Sequence, residues 1–420
     1  MRATQTTTYR SLQSFLDRTS DKLASLQLQA ATGKRINRPS DDPTAISPVL
    51  SARTQIQASD RYIETIATGM DRIDNADGYL DSLENTMVRM KEINIATING
   101  SLSDADMKTF ANEVHQLRAS LIDSANAQID GKYQFAGFAE KTEPFTLNPT
   151  YDPDLYDEAD PTTYPVLYSG DSGQVEYEIA PNELIKVNAL GNEFMMGDFD
   201  HDGAIDSGAQ DIFVLVTQLE EALLAGNQPQ TAATTTPYSA GPPVVAEVQE
   251  LDFSATKIAP GRSLTLSIDG SDYTYTNSTG ATQFGIGLAT AVAGLTVPNY
   301  NLTASAAPAT LTLTQTAGNE ADIDSISLTN NTLGELMNPL EKAADQIRSQ
   351  RSFSGNVGKR LETASSHMEQ IKIDMETFRS RFEDADILKT ITELQQQQQS
   401  FEAALNVTGK VSELSILNYI

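Results

Sequence analysis

The stretch Leu361–Ile387, LETASSHMEQIKIDMETFRSRFEDADI, decides the fold. Leu361, Ala364, Met368, Ile371, Met375, Phe378, Phe382 and Ala385 recur at alternating spacings of three and four. That spacing sets them on one face of an α-helix for more than three heptads, the pattern of a coiled-coil seam. After Glu383-Asp384-Ala385-Asp386 the apolar set shifts to Ile387, Ile391, Leu394, Gln398, Phe401 and Leu405, a change of register. A register change predicts a joint between two separately packed helical layers. The other end of the chain answers in kind. Leu12, Leu16, Thr19, Leu23, Leu26, Ala30 and Gly33 form a second heptad seam, Gly33 ends that helix, and Asp42 caps the next with Pro43 in its first turn. The second helix carries Ile63, Ile66, Met70, Ile73, Leu80, Leu83, Met87 and Met90 on one face until Asn99-Gly100 breaks it. Ser103-Asp104-Ala105-Asp106 reads as a capping box opening a third, with Met107, Phe110, Val114, Leu117 and Leu121 on one side.

The interior of the chain has another character. Residues 141–197 are dense in Tyr, Pro, Asp and Gly; Leu167–Ile185 alternates in the β manner, and the acidic Tyr151–Pro165 stretch predicts a solvated loop. Asp211–Ala225 returns to helix, and Gln228–Pro243, rich in Thr, Ala and Pro, reads as a linker. A compact unit follows: strand Ser263–Asp269, turn Gly270-Ser271, strand Tyr273–Thr276, helix Phe284–Ala293, strands Asn301–Ala306 and Thr310–Gln315 around Ala307-Pro308, and an edge at Ile326–Thr329. The expected fold is therefore mainly α at both termini, a long coiled-coil helical bundle, with a β-rich middle and an inserted small α+β domain.

Composition narrows function by exclusion. Lys and Arg total 29 against 57 Asp and Glu, a net charge of −28 over 420 residues, which argues against nucleic acid or an anionic membrane as the main partner. No cysteine is present, so disulfides, thiol nucleophiles and Cys-ligated zinc fall away together. His115, His201 and His367 are far apart in sequence, a poor basis for a histidine metal site or triad. The first residues carry no apolar segment of the secretory-signal kind, and no apolar run approaches the ~18 residues that span a bilayer. Gly33-Lys34 lacks the upstream glycine of a phosphate loop, and Gly170-Asp-Ser-Gly173 lacks nucleophile-elbow spacing, so the sequence points to no enzyme. Gln395–Gln399 reads as a polar subunit contact or a solvated face.

One motif carries chemistry. In Asp198-Phe-Asp200-His-Asp202-Gly203-Ala-Ile205-Asp206, oxygen donors stand at positions one, three and five, glycine at six and Asp at nine, the pattern of a calcium loop. Position twelve is Ala209 rather than the bidentate Glu, so a simple acidic turn remains the competing reading. Calcium at Asp198, Asp200, Asp202 and Asp206 is the sole cofactor expectation, and none is required.

Several of these residues also carry a family resemblance. Leu23-Ala-Ser-Leu26 leading to Thr32-Gly-Lys-Arg-Ile-Asn37 and Ser40-Asp-Asp-Pro43 resembles the amino-terminal signature of bacterial flagellins. The Asp-Asp-Pro ending, Gly131-Lys-Tyr-Gln-Phe-Ala-Gly137 before Thr142-Glu-Pro-Phe145, Asn356-Val-Gly-Lys-Arg-Leu361, Glu383-Asp-Ala-Asp386 and the terminal Leu417-Asn-Tyr-Ile420 are similar to the hook-associated protein 3 branch of that superfamily. The resemblance spans roughly residues 1–145 and 335–420.

It implies a flagellar axial protein, extracellular, exported through the flagellar type III channel with a cytoplasmic chaperone. It would be assembled as a self-associating ring between hook-associated protein 1 and flagellin, with no nucleic-acid or membrane partner. Residues 1–40 and 387–420 would form the inner coiled-coil assembly layer, its contacts including Leu12, Leu16, Leu23, Leu26, Ile391, Leu394, Phe401 and Leu405. Residues 41–140 and 334–386 would form the helical rod, 141–241 an outer β-rich domain, and 242–333 the inserted module. A filament flagellin, or a surface adhesin whose inserted modules bind a target, are the alternatives.

Overall fold

The first helix, α1 (Arg2–Thr32), stops at Gly33, whose φ of +68° lies in the left-handed region that disfavours other residues. Helix α2 (Pro43–Asn99) begins where Asp42 Oδ1 accepts the backbone N–H groups of Thr44 and Ala45 at 3.1 and 3.2 Å. Helix α3 (Asp104–Ala125) opens on the expected capping box between Ser103 and Asp106. After the interior segments come α4 (Ile212–Ala225), α5 (Gly285–Ala293), the single turn α6 (Thr332–Glu335), α7 (Met337–Glu383) and α8 (Ile387–Leu417). This computed structural model describes residues 2–99, 102–226, 230–241, 245–306, 308–316 and 325–417. Gly100, the linker positions Gln228, Pro229, Pro242 and Pro243, Ala307, and Asn418-Tyr419-Ile420 of the apolar tail lie outside the described residues.

The chain divides into two compact units, Met1–Ala67 with Glu178–Glu183 and Glu362–Ile420, and Thr68–Tyr177 with Leu184–Leu361. The layer boundaries expected near residues 40 and 386 coincide with breaks between helices, whereas the compact units part within α2 and α7. In the first unit α1 packs with α8, and α2 runs antiparallel to α7, as the Asp60–Lys372 ion pair at 2.7 Å records. No helix among the described residues is long and apolar enough to cross a membrane.

The second unit holds the main core. Ile73, Ala76, Leu80, Leu83, Met87 and Met90 of α2 are buried at heptad spacing. Most of them join α3, α4 and the first turns of α7 in one apolar cluster. Arg351 of α7 binds Asp77, Asp81 and Glu84 of α2 at 3.2, 2.8 and 2.7 Å, and Lys91 pairs with Glu341, which together hold the antiparallel register. Helix α4 is buried at every position from Ile212 to Leu219, Thr217 and Gln218 included, so it is the centre of this unit. Around it lie Phe135, Phe145, Phe194 and Phe213, with ring centroids about 5 Å apart in the Phe135–Phe194 and Phe145–Phe213 pairs. Gly191 permits that packing: a Cβ there would stand 2.6 Å from Phe145 Cζ and 2.8 Å from the Phe135 carbonyl.

Two expectations need correction here. Tyr151–Pro165 is no solvated loop throughout, because Tyr156 and Tyr164 turn inward and are buried. Just before each of them stands a short 3-10 turn, Pro153–Leu155 and Pro161–Thr163, capped by Asp152 and Asp160, so the acidic residues shape the loop while the aromatics anchor it. The linker reading of Gln228–Pro243 also fails in part. Gln230–Thr231 and Ala233–Thr236 are strands, pairing with Ile326–Asn330 and Val248–Asp252 respectively. Threonine supports an edge strand as readily as a linker, and only the partner strand decides.

The inserted module therefore starts near residue 230. One four-stranded sheet combines Ser271–Thr276, Ser263–Ile268, Ile326–Asn330 and Gln230–Thr231. The other combines Tyr300–Ala306, Ala309–Gln315, Val248–Asp252 and Ala233–Thr236, and α5 packs on this second sheet. Phe253, Leu266, Leu288, Val292, Leu311 and Leu313 fill a core separate from that around α4. The module is seated on the helical core by hydrogen bonds: Arg262 donates to Gln218 Oε1 at 3.1 Å, the Ser263 N–H to Glu335 Oε2 at 2.9 Å, and the Thr282 N–H to the Tyr156 carbonyl at 3.0 Å.

Because the two cores are separate, replacing residues 230–330 by a short Gly/Ser linker should leave a cooperatively folding helical protein. The expected loss is about 1 kcal/mol per seating hydrogen bond. Urea denaturation followed by circular dichroism measures this; collapse of the helical signal would show that the cores fold only together.

Candidate functional site

The residues that drew attention at the two chain ends meet at one elbow. The Arg35 N–H donates to the Glu383 carbonyl at 2.7 Å and the Ala385 N–H to the Gly33 carbonyl at 2.9 Å. These bonds tie the end of α1 to the end of α7 as Lys34 and Asp384 bridge in antiparallel fashion. Arg35 also donates to the Phe382 carbonyl at 2.7 Å and to Asp42 Oδ2 at 2.9 Å. The Thr44 hydroxyl and then Arg35 hold the Asp42 carboxyl down at about 2, so it is ionised when it caps α2. Asp386 caps α8 in the same way, taking the Lys389 N–H at 3.1 Å.

At the centre is Glu383, whose side chain is only 1% exposed. Lys34 Nζ and Arg53 Nη2 both reach its Oε1 at 2.6 Å, and Arg379 Nε stands 3.6 Å from Oε2. Burial pushes this carboxyl up, but the hydrogen bonds from Lys34 and Arg53 outweigh burial and hold it below its ordinary value. In the sequence Glu383 and Lys34 stand only as parts of motifs, and nothing singles out Arg53. The available signal was an acidic residue next to the seam residue Phe382 just before the register change.

From the elbow α1 and α8 run side by side. On α1 the expected seam holds: Thr19 and Leu26 are buried and Leu12, Leu16 and Leu23 are half-buried. On α8 the covered stripe is Thr390, Leu394, Gln397, Phe401 and Ala404, and Gln397 Nε2 donates to the Thr19 carbonyl at 3.4 Å. Leu394 and Phe401 fall in it as expected. Ile387, Ile391, Gln398 and Leu405 do not; the structure turns them outward, with Leu405 48% exposed. Thr390, Gln397 and Ala404 thus share the covered stripe with Leu394 and Phe401, and Ile387, Ile391 and Leu405 are left on the outer surface. Leu388, 80% exposed, Val407, Phe15 and Leu28 lie in the open as well.

The acidic turn is in the other unit. Carboxylate oxygens of Asp198, Asp200 and Asp206 lie within 4.8 Å of one another. Asp202 is not in the group; its Oδ1 takes the Ala204 N–H at 2.8 Å instead. Asp211 caps α4 through the Val214 N–H at 3.0 Å, and burial pushes its carboxyl up to about 7. Gly203, with φ +90°, makes the expected turn. His201 lies beside Asn192 and Glu193, His115 pairs with Glu220 at 2.9 Å, and His367 is exposed.

Comparison with known proteins bears on the chain ends. The family model for the bacterial flagellin N-terminal helical region matches residues 4–140, and that for the C-terminal helical region matches residues 337–420, together more than half the chain. The chain is 34% identical over 121 residues to flagellar hook-associated protein 3 of Escherichia coli, covering 28% of this chain and 38% of that protein. It is 29% identical over 105 residues to a flagellin of Listeria monocytogenes, covering 25% and 37%. The matches thus span less than half the length of these relatives. Among solved structures, a flagellar hook-associated protein of Vibrio parahaemolyticus is 14% identical, with 82% of this chain and all of that one covered at a TM-score of 0.47. A flagellar junction protein of Legionella pneumophila is 18% identical, with 88% and all covered, at a TM-score of 0.33.

Glu383→Gln should cost about 1–3 kcal/mol at neutral pH. The sign follows from the depressed pKa: the carboxylate's contribution is complete above the ordinary value of 4.5 and is lost as pH falls through the lower folded value. Thermal melts across pH should therefore show wild type and variant converging in acid. A constant gap down to acid pH would remove the charge from the account of the elbow.

Proposed function

Since the chain belongs to the bacterial flagellin family, we propose that it is a structural protein of the flagellar axis, of the hook-associated protein 3 type, joining hook to filament as a ring of subunits. The observation that carries this reading is the apolar surface left uncovered on α1 and α8. Ordering a residue's backbone costs about 1–2 kcal/mol, and a leucine-sized side chain returns roughly 1.5–3 kcal/mol only when fully buried. Two 31-residue helices that bury a narrow stripe between them fall short of that balance, and neighbouring subunits supply the missing cover. The role is structural, as it is for relatives named as hook-associated and filament proteins, and is not catalytic. Export through the flagellar type III channel, a cytoplasmic chaperone on the free helical ends, and hook-associated protein 1 and flagellin as neighbours complete the proposal, with an extracellular final position. Filament flagellin is the second reading, favoured by the Listeria relative; abundance separates the two, because a filament needs its subunit in great excess.

Deleting the gene should leave hooks without attached filaments and flagellin in the medium, as seen by electron microscopy and immunoblotting. Intact filaments would remove the junction role.

Leu405→Glu and Leu388→Glu should leave the monomer's melting unchanged and abolish ring contacts, read by crosslinking of assembled structures. Hydrogen exchange on the free subunit should show residues 10–30 and 390–410 weakly protected. Strong protection there before assembly would mean that the ends fold alone.

A further inference from the structure

The acidic turn Asp198–Asp206 is unused by the assembly role, and clustered carboxylates alone would call for nothing beyond solvent. Asp198 is different. It is 7% exposed, and its Oδ1 is buried without a hydrogen-bond partner. Its Oδ2 receives only long contacts, from the Gly203 N–H at 3.3 Å and the Asn192 amide at 3.5 Å. Beside it Asn192, 5% exposed, turns its amide nitrogen toward Asp198 Oδ2 and His201 Nδ1. A buried oxygen without a donor is costly, and a buried carboxylate oxygen more so. With the Asp200 and Asp206 carboxylates alongside, that oxygen calls for a positive charge; among the described residues Lys186 is turned to Glu193 at 3.6 Å, and His201 to Asn192 and Glu193 at 2.8 and 3.7 Å.

We propose that Asp198, Asp200 and Asp206 bind a divalent cation, calcium. The donors are all oxygen, the set that hard cations prefer. Oxygens sharing one calcium at about 2.3–2.6 Å lie no more than about 5 Å apart, and the three carboxylates meet that limit. Magnesium demands near-ideal octahedral geometry, which a turn built from one short loop serves less well. Asp202 lies outside the group of carboxylates that converge, and Ala209 at the twelfth position offers no ligand, so affinity falls in the weak range of about 10⁻⁴–10⁻³ M. The turn is also clamped to α7: Gln346 Nε2 donates to the Phe194 and Gln210 carbonyls at 3.0 and 3.1 Å, and its Oε1 accepts the Gln210 N–H at 3.2 Å. An ion closing the turn thereby stiffens the segment that leads into α4.

Calorimetry of the purified full chain with calcium chloride, then magnesium chloride, tests the site. Wild type should bind one calcium in the stated range and magnesium more weakly. Asp200→Asn, at an exposed position, should weaken calcium at least tenfold with an unchanged melt in chelator, whereas Asp202→Asn should stay within threefold of wild type. No heat in wild type, equal affinity in Asp200→Asn, or equal losses in both variants would overturn the assignment. The titration needs no assembled flagellum, so its failure would leave the junction role standing.

Discussion

Lys34 and Arg53 converge on the buried carboxylate of Glu383 where α1 ends, α2 has just begun, α7 ends and α8 is about to start. A carboxylate so enclosed is tolerable only while its partners are present, so residues more than three hundred positions apart are held to one geometry. The backbone bonds between Gly33, Arg35, Glu383 and Ala385 then fix the direction in which both terminal helices leave. Pairing of α1 with α8, and the outward aspect of Leu388 and Leu405, follow from that direction.

Much of this frame is legible in the sequence because coiled-coil packing writes itself as spacing. Leu12, Leu16, Thr19, Leu23 and Leu26 are covered as the heptad predicts, and the α2 face from Ile73 to Met90 is buried in the same way. The α8 stripe misleads for a physical reason. Apolar spacing does not say which of two neighbouring stripes of a helix is covered, so Ile391 and Leu405 read as a seam although Thr390, Gln397 and Ala404 face inward. The elbow was visible as a register change, yet nothing local says that Glu383 is enclosed; that depends on Lys34 and Arg53 arriving from the opposite end of the chain. At the acidic turn, the alternation of Asp with a following glycine located the cluster. It did not say that the Asp202 carboxylate would stand apart from those of Asp198, Asp200 and Asp206, which the path of the turn decides.

The motif Gly131–Gly137 with Phe145 has a packing explanation that resemblance alone does not supply. Phe135 and Phe145 are fully buried, the Phe135 carbonyl accepts the Gly191 N–H at 3.0 Å, and Asn126 both donates to and accepts from the Phe145 backbone. A Cβ on Gly137 would meet Asp171 Oδ1 at 2.1 Å. The pattern is thus a demand for large rings and a missing side chain at fixed places around α4, and it says nothing about chemistry.

The inserted module enters by Gln230–Thr231 and leaves by Ile326–Asn330, and these two strands are neighbours in one sheet, with Gln230 opposite Leu328. Entry and exit are therefore one strand spacing apart, about 4.8 Å. The helices before and after experience the insertion as a fixed doorway, independent of how many residues lie beyond it. Any compact domain whose own termini are adjacent meets the same boundary condition at this doorway, and only the seating contacts to Gln218, Glu335 and Tyr156 are particular to this module.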